Sequence, residues 1–116
     1  MPTTAKILYT GKSHTTTGPG AATKSADGFL DIKLPQPHPA AENLFASAWS
    51  ACYLAAFEHA ASLQKIKLPA RPAVDTEINL NQDSTGYFLQ ANLRVSVPGL
   101  DPKTTQDLAD AAHSIC

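Results

Sequence analysis

The sequence predicts an α+β fold in which antiparallel β-hairpins pack on two helices, and three observations carry that expectation. Residues 74–81 and 86–99 alternate apolar and polar side chains at period two, residues 41–65 hold neither Gly nor Pro, and Asp101-Pro102 opens a second helical pattern. At 116 residues the chain fits one domain, 1–116, with a core of its own, yet it is short enough for a partner subunit to cover part of it.

Taken in order, "AKILYTG" (5–11) has the apolar, β-branched character of a short strand. "HTTTGPGAATKSADG" (14–28) reads as a Gly/Pro/Thr-rich connection that ends in an Asp27-Gly28 turn. "FLDIKL" (29–34) sets Phe29, Asp31 and Lys33 against Leu30, Ile32 and Leu34, so the first two strands are expected to form a hairpin. Three prolines in "PQPHP" (35–39) exclude helix and give a stiff, extended linker.

The Ala-rich run from about Ala41 to Lys65 favours helix strongly. Leu44, Ala48, Cys52, Ala55, Ala56 and Ala60 form one apolar stripe, and Phe45, Trp49, Tyr53 and Phe57 form a second beside it. So much apolar circumference predicts a long, central, buried helix, which "LPARPA" (68–73) then breaks. "VDTEINLN" (74–81) and "GYFLQANLRVSVPG" (86–99) are strands joined by the "QDSTG" turn, with Tyr87, Leu89, Ala91, Leu93, Val95 and Val97 facing inward. Asp101 is an N-cap with Pro at the first helical position, and Leu108, Ala111, Ala112 and Ile115 give the second helix its stripe. The expected order is ββ-α-ββ-α.

Nine Lys+Arg against ten Asp+Glu leave no basic surface of the kind that tracks a phosphate backbone, so nucleic acid is not an expected partner. The opening residues lack the h-region of a signal peptide and the Arg-rich pattern of a transit peptide, and no apolar run reaches 18 residues. A cytoplasmic protein without a membrane partner is the expectation. In that compartment its two cysteines, Cys52 and Cys116, are expected to be free, catalytic or redox-sensing rather than structural.

Cys52 in an apolar helix is in the first instance a small buried hydrophobe. Burial raises a thiol's pKa and the mid-helix position gains little from the dipole, so a nucleophilic Cys52 needs an outside cation or hydrogen-bond donor. Glu42, in the first turn of the same helix, is favoured there by the dipole. Ten residues of helix put it about 15 Å from Cys52, so a site joining the two requires a kink or a second subunit. His113 and Cys116 stand at i, i+3, a spacing that can share zinc with His59 or Cys52, but there is no CxxC or HExxH, and no metal is expected. His113 otherwise reads as a cation at the helix C-terminus, and the loop residues His14 and His38 receive no role. There is no GxSxG and no phosphate-binding Gly-rich loop.

"ILYTG", "SADGFLDIKL", "AAENLFASAWSACYLAAF", "LRVSVPGLD" and "DLADAAHSIC", in that order, resemble the organic hydroperoxide resistance (Ohr) branch of the OsmC/Ohr family over nearly the whole chain. The "ExLFA…SAC[YF]" helix and the "AAHxxC" ending are the most specific parts. The resemblance implies an OsmC-like fold in an intertwined homodimer, and a thiol peroxidase that reduces organic or fatty-acid hydroperoxides to alcohols. Cys52 falls on the peroxidatic cysteine, Cys116 on the resolving cysteine, and Glu42 on a carboxylate that orients an arginine beside the nucleophile. No bound cofactor is implied; an external dithiol such as dihydrolipoamide on a lipoylated protein reduces the disulfide. Members of the family continue past the second cysteine into a "PYS" segment and a last strand, so these 116 residues are expected to be one such domain short of that strand.

The family's arginine loop aligns with "TTTGPGAATKSADG", where Pro19 stands in the arginine's place. Without an arginine, Glu42 brought near Cys52 would raise the thiol pKa, because a neighbouring negative charge disfavours thiolate. Lys12, Lys24 and Arg94 are the candidate substitutes. The alternative reading is an OsmC-like stress or apolar-ligand-binding protein with weak or no peroxidase activity.

Overall fold

The computed structural model describes residues 4–116; Met1, Pro2 and Thr3, part of the opening stretch read above for a leader, lie outside it. The chain forms two compact units, Met1–Ala40 and Ala41–Cys116. Their elements follow the order βββ-α-ββ-α.

In the first unit, β1 (Ser13–Thr15), β2 (Ala22–Ser25) and β3 (Asp31–Lys33) make an antiparallel meander in the order β1-β2-β3. His14 lies opposite Lys24, and Thr23 opposite Ile32. The turn between β2 and β3 is the expected Asp-Gly turn. The Asp27 carboxylate accepts the Ser25 hydroxyl and the Phe29 N–H, and these bonds hold its pKa below the ordinary carboxylate value. Gly28 takes φ 81°, a left-handed value that a side chain would resist.

The first strand is not where apolarity suggested. Residues 5–11 hold no regular structure, and Ile7, Leu8 and Tyr9 are 82, 72 and 95% exposed. β1 instead lies in the stretch expected to be a connection. Its threonines supply the reason: β-branched Thr15 pairs with Thr23 through their hydroxyls (2.8 Å), and the Thr16 hydroxyl accepts the Ala22 N–H (3.2 Å). A strand exists through its partner, and within the first unit the threonine segment has one.

In the second unit, α1 (Ala40–Leu63) runs without interruption. It stops before any proline. Lys65 turns to φ 57°, its N–H reaches the Ser62 carbonyl (3.1 Å), and the Ile66 N–H reaches the Ala61 carbonyl (2.9 Å). This pair of bonds is a Schellman motif, and Ile66 packs back onto the core beside it. β4 (Ala73–Asp83) and β5 (Gly86–Ser96) form one antiparallel hairpin closed by Ser84 and Thr85, with Val74 opposite Val95 and Leu80 opposite Leu89. α2 (Pro102–Ile115) begins as the sequence predicts, the Asp101 carboxylate accepting the Thr104 N–H at 2.9 Å.

The core of this unit gathers Tyr53, Ala56, Phe57, Ala60 and Ala61 of α1, Leu108, Ala109 and Ala112 of α2, and Val97 just past β5. Val74, Leu93 and Val95 close it from the hairpin. The expectation of a helix buried throughout is corrected here: α1 buries only its C-terminal half, and Phe45 in the other half is exposed. α2 has 14 residues against the 24 of α1, so it covers only part of the longer helix. β5 behaves likewise, with Leu93, Val95 and Val97 packed but Tyr87 and Leu89 exposed.

Phe57 and Leu108 are wholly buried, so Leu108→Ala is expected to cost about 2–5 kcal/mol in chemical denaturation through lost burial and the cavity it leaves. Lys65→Gly removes a left-handed side chain at some cost in unfolded-state flexibility, and a net gain of about 0.5–1 kcal/mol is expected in the same measurement.

Candidate active site

Cys52 lies in the middle of α1, and α2 delivers Cys116 as the residue that caps its C-terminus, the Cys116 N–H donating to the Ala112 carbonyl at 2.9 Å. Both thiols are free, and they lie near enough for Cys52 to shift the titration of Cys116. Two cysteines 64 positions apart in the chain are thus neighbours in space. Interaction with the Cys52 thiol, with some burial and the negative charge that Cys52 carries when ionised, pushes the Cys116 thiol up to about 11. Cys116 is therefore held as the protonated partner at neutral pH.

Contrary to the reading of Cys52 as buried, its residue is exposed. The packed stretch of α1 begins at Tyr53 and runs toward the C-terminus, so Cys52 stands at its upper edge, at the level where α2 ends. The surroundings are nonetheless apolar on one side. Ala48 and Trp49, four and three residues earlier on the same helical face, join Phe45 and Cys116 in lining an open hollow of about 380 Å³. The Phe45 and Trp49 rings meet at 5.8 Å, tilted by 55°.

Tyr53, next to Cys52, turns into the core and donates its hydroxyl to the Ala109 carbonyl of α2 at 3.1 Å. Burial, followed by the charges of Asp110 and Cys116, raises its pKa, so the phenol keeps its proton. Ser50, one turn before Tyr53, pairs its hydroxyl with that of Thr76 on β4 at 2.7 Å. Both tie this part of α1 to its neighbours. On sequence, Phe45, Trp49 and Tyr53 read only as a core stripe; their positions at i−7, i−3 and i+1 from Cys52 were the available signal.

Glu42 remains in the first turn of α1 and is half-buried. Because α1 is continuous, about 15 Å of helical rise separates it from Cys52, and the chain by itself does not bring the two together. Arg94 is exposed on β5 and borders a groove with Asp110 and His113, while Lys12 and Lys24 belong to the first unit. His113 occupies the last turn of α2, where a cation meets the helix dipole favourably. Among the described residues, no three His, Cys, Asp or Glu side chains are grouped so as to hold a metal ion, and no helix is long and apolar enough to cross a membrane.

The family model for OsmC-like proteins matches residues 34–116. The organic hydroperoxide resistance protein of Xanthomonas axonopodis pv. citri is 33% identical over 125 aligned positions, covering all of this chain and 88% of that protein. The crystal structure of the organic hydroperoxide resistance protein OhrB of Bacillus subtilis superposes with a TM-score of 0.81 at 31% identity, covering 95% of this chain and 87% of that one. An organic hydroperoxide resistance protein from Elizabethkingia anophelis, solved with thiocyanate bound, gives 0.84 at 29% identity, covering 97% and 86%.

The link between the thiols has a direct readout. In Cys52→Ala the interaction with the neighbouring thiol is gone, so the Cys116 pKa falls, its thiolate fraction rises, and alkylation by iodoacetamide at pH 8 is expected to quicken about tenfold. An unchanged rate would mean that Cys52 does not hold the Cys116 proton.

Proposed function

The chain belongs to the organic hydroperoxide resistance branch of the OsmC/Ohr family, and we propose that it is a Cys-based peroxidase reducing organic hydroperoxides to alcohols through a Cys52–Cys116 disulfide. The observation that carries this reading is the nearness of the two free thiols, the C-terminus of α2 bringing Cys116 within electrostatic reach of Cys52 in the middle of α1.

The Cys52 thiolate attacks the distal peroxide oxygen, the O–O bond breaks, and the alkoxide leaves as the alcohol after taking a proton; Cys52 is left as sulfenic acid. The Cys116 sulfur then attacks the Cys52 sulfur, forming the S–S bond and releasing water. An external dithiol, dihydrolipoamide on a lipoylated protein, restores both thiols by two successive exchanges and is itself oxidised to the disulfide. The aromatic hollow beside Cys116 suits a substrate with an alkyl or fatty-acyl tail. Reactive thiol and resolving thiol within contact also limit further oxidation of the sulfenic acid, since condensation competes with a second peroxide.

Two parts of this reading call on a second copy of the chain. Glu42 is out of reach of Cys52 along one continuous α1, so its role as polar partner of the site is filled from the other subunit of a homodimer. The exposed apolar residues Phe45, Leu80, Leu89 and Ile115 are the kind of surface that such a partner covers.

A second reading has one observation in its favour: the segment 14–28 contains no arginine, and the chain's two arginines are Arg71 and Arg94. On that reading the protein keeps the fold and the apolar hollow as a stress or ligand-binding protein, with little turnover.

Consumption of cumene hydroperoxide with dihydrolipoamide as reductant separates the two. The wild type is expected to turn over well above the free-dithiol rate, and Cys52→Ser to fall to that background. Cys116→Ser is expected to consume about one equivalent of peroxide and to accumulate sulfenic and sulfinic acid at Cys52, detected by mass spectrometry. Wild-type turnover at the free-dithiol rate would remove the enzyme reading and leave the binding protein.

A further inference from the structure

We propose that Tyr53 is a positioning residue for the dithiol: its hydroxyl, bonded to the Ala109 carbonyl, fixes α2 against α1 so that Cys116 is held at Cys52. The inference rests on the dithiol reading above and assigns the residue that makes it geometrically possible.

A disulfide is demanding. The two Cα atoms must lie about 4.4–6.8 Å apart with the C–S–S–C dihedral near ±90°, and a thiol that drifts outside this range reacts slowly or not at all. The apolar contacts between the helices, Phe57 and Leu108 with Ala109 and Ala112 beside them, are non-directional and tolerate sliding of one helix along the other. The Tyr53 hydroxyl adds direction. It spans 56 positions of sequence to reach a backbone carbonyl, so it constrains the α2 backbone itself and not a side chain that can swing away.

The lever on each side of that bond is short and stiff. Tyr53 is the residue after Cys52 in an unbroken helix, and it is only 6% exposed, packed within the core. Ala109 precedes Cys116 by two helical turns, about 10 Å of rise, and the Cys116 N–H bonded to the Ala112 carbonyl keeps that last turn wound to its end. A fixed point at Ala109 is therefore transmitted to the Cys116 sulfur. The phenol is protonated throughout the working range, because burial and the charges of Asp110 and Cys116 all oppose its ionisation, so the donor is always present. Ala109 and Ala112 are small and buried, which leaves room for the Tyr53 side chain to reach the α2 backbone.

Tyr53→Phe removes the hydroxyl and keeps the ring, while Ser50→Ala removes the comparable α1 bond that runs to Thr76 on β4 instead of to α2. The readout is the equilibrium between the Cys52–Cys116 dithiol and its disulfide in dithiothreitol redox buffers, a measurement that needs no peroxide. Tyr53→Phe is expected to lower the equilibrium constant for closure about fivefold, near 20 mV in potential, as the loss of one hydrogen bond that fixes the pair. Peroxide treatment of the same variant is expected to raise the share of Cys52 trapped as sulfinic acid. Ser50→Ala is expected to shift thermal unfolding without moving the potential.

A folded Tyr53→Phe protein with the wild-type potential overturns the proposal and leaves the dithiol reading standing. A wild type that forms no Cys52–Cys116 disulfide in any buffer overturns both. Should Tyr53→Phe fail to fold, the hydroxyl proton of Tyr53 in the wild type decides by NMR: slow exchange with solvent in both redox states is expected, and free exchange overturns the proposal.

Discussion

The mutual burial of Phe57 and Leu108 is the contact on which the second unit depends. Each is wholly removed from solvent, they belong to different helices, and the residues flanking them, Ala56, Ala60, Ala61, Ala109 and Ala112, are nearly all alanine. Two large buried side chains set among small ones mark where the two helices pack, and leave little freedom in how they do so. The base of the β4–β5 hairpin, through Val74, Leu93 and Val95, then closes the third side.

That arrangement fixes where chemistry can occur. α2 is shorter than α1, and it ends where the packed half of α1 begins, so the end of one helix falls beside the middle of the other. Cys116 and Cys52 occupy those two positions. A helix C-terminus is a poor place for a negative charge, since the dipole is negative there, and the high pKa of Cys116 agrees with that setting as well as with the nearness of Cys52.

The elements with the clearest periodicity were legible in the sequence: α1, α2 with its Asp101 cap, and the β4–β5 hairpin with its short turn. That Cys52 and Cys116 lie near one another was reachable only through resemblance, because spacing within a sequence does not say where two helices meet. Two readings failed for one physical reason. Residues 5–11 and the N-terminal half of α1 are apolar enough to be strand and core, but apolarity states only that burial is favourable, and in this chain they remain uncovered. The threonine-rich β1 escaped notice because its stabilisation comes from cross-strand hydroxyl pairing, which a hydrophobic pattern does not register. Tyr53 was seen as core and is core; that its one polar atom faces the Ala109 backbone depends on the helix crossing and has no local signature.

The outer end of the β4–β5 hairpin has a colloidal consequence. Near the turn Leu80, Tyr87 and Leu89 stand exposed on one face of the hairpin and Phe88 on the other, on a chain whose formal charge at neutral pH is −1 and whose isoelectric point is about 6.4. Long-range repulsion between copies is then almost nil, and vanishes on mild acidification, while a greasy tip remains to adhere wherever two molecules meet. Purified at high concentration in slightly acidic buffer, the protein sits near its point of least solubility.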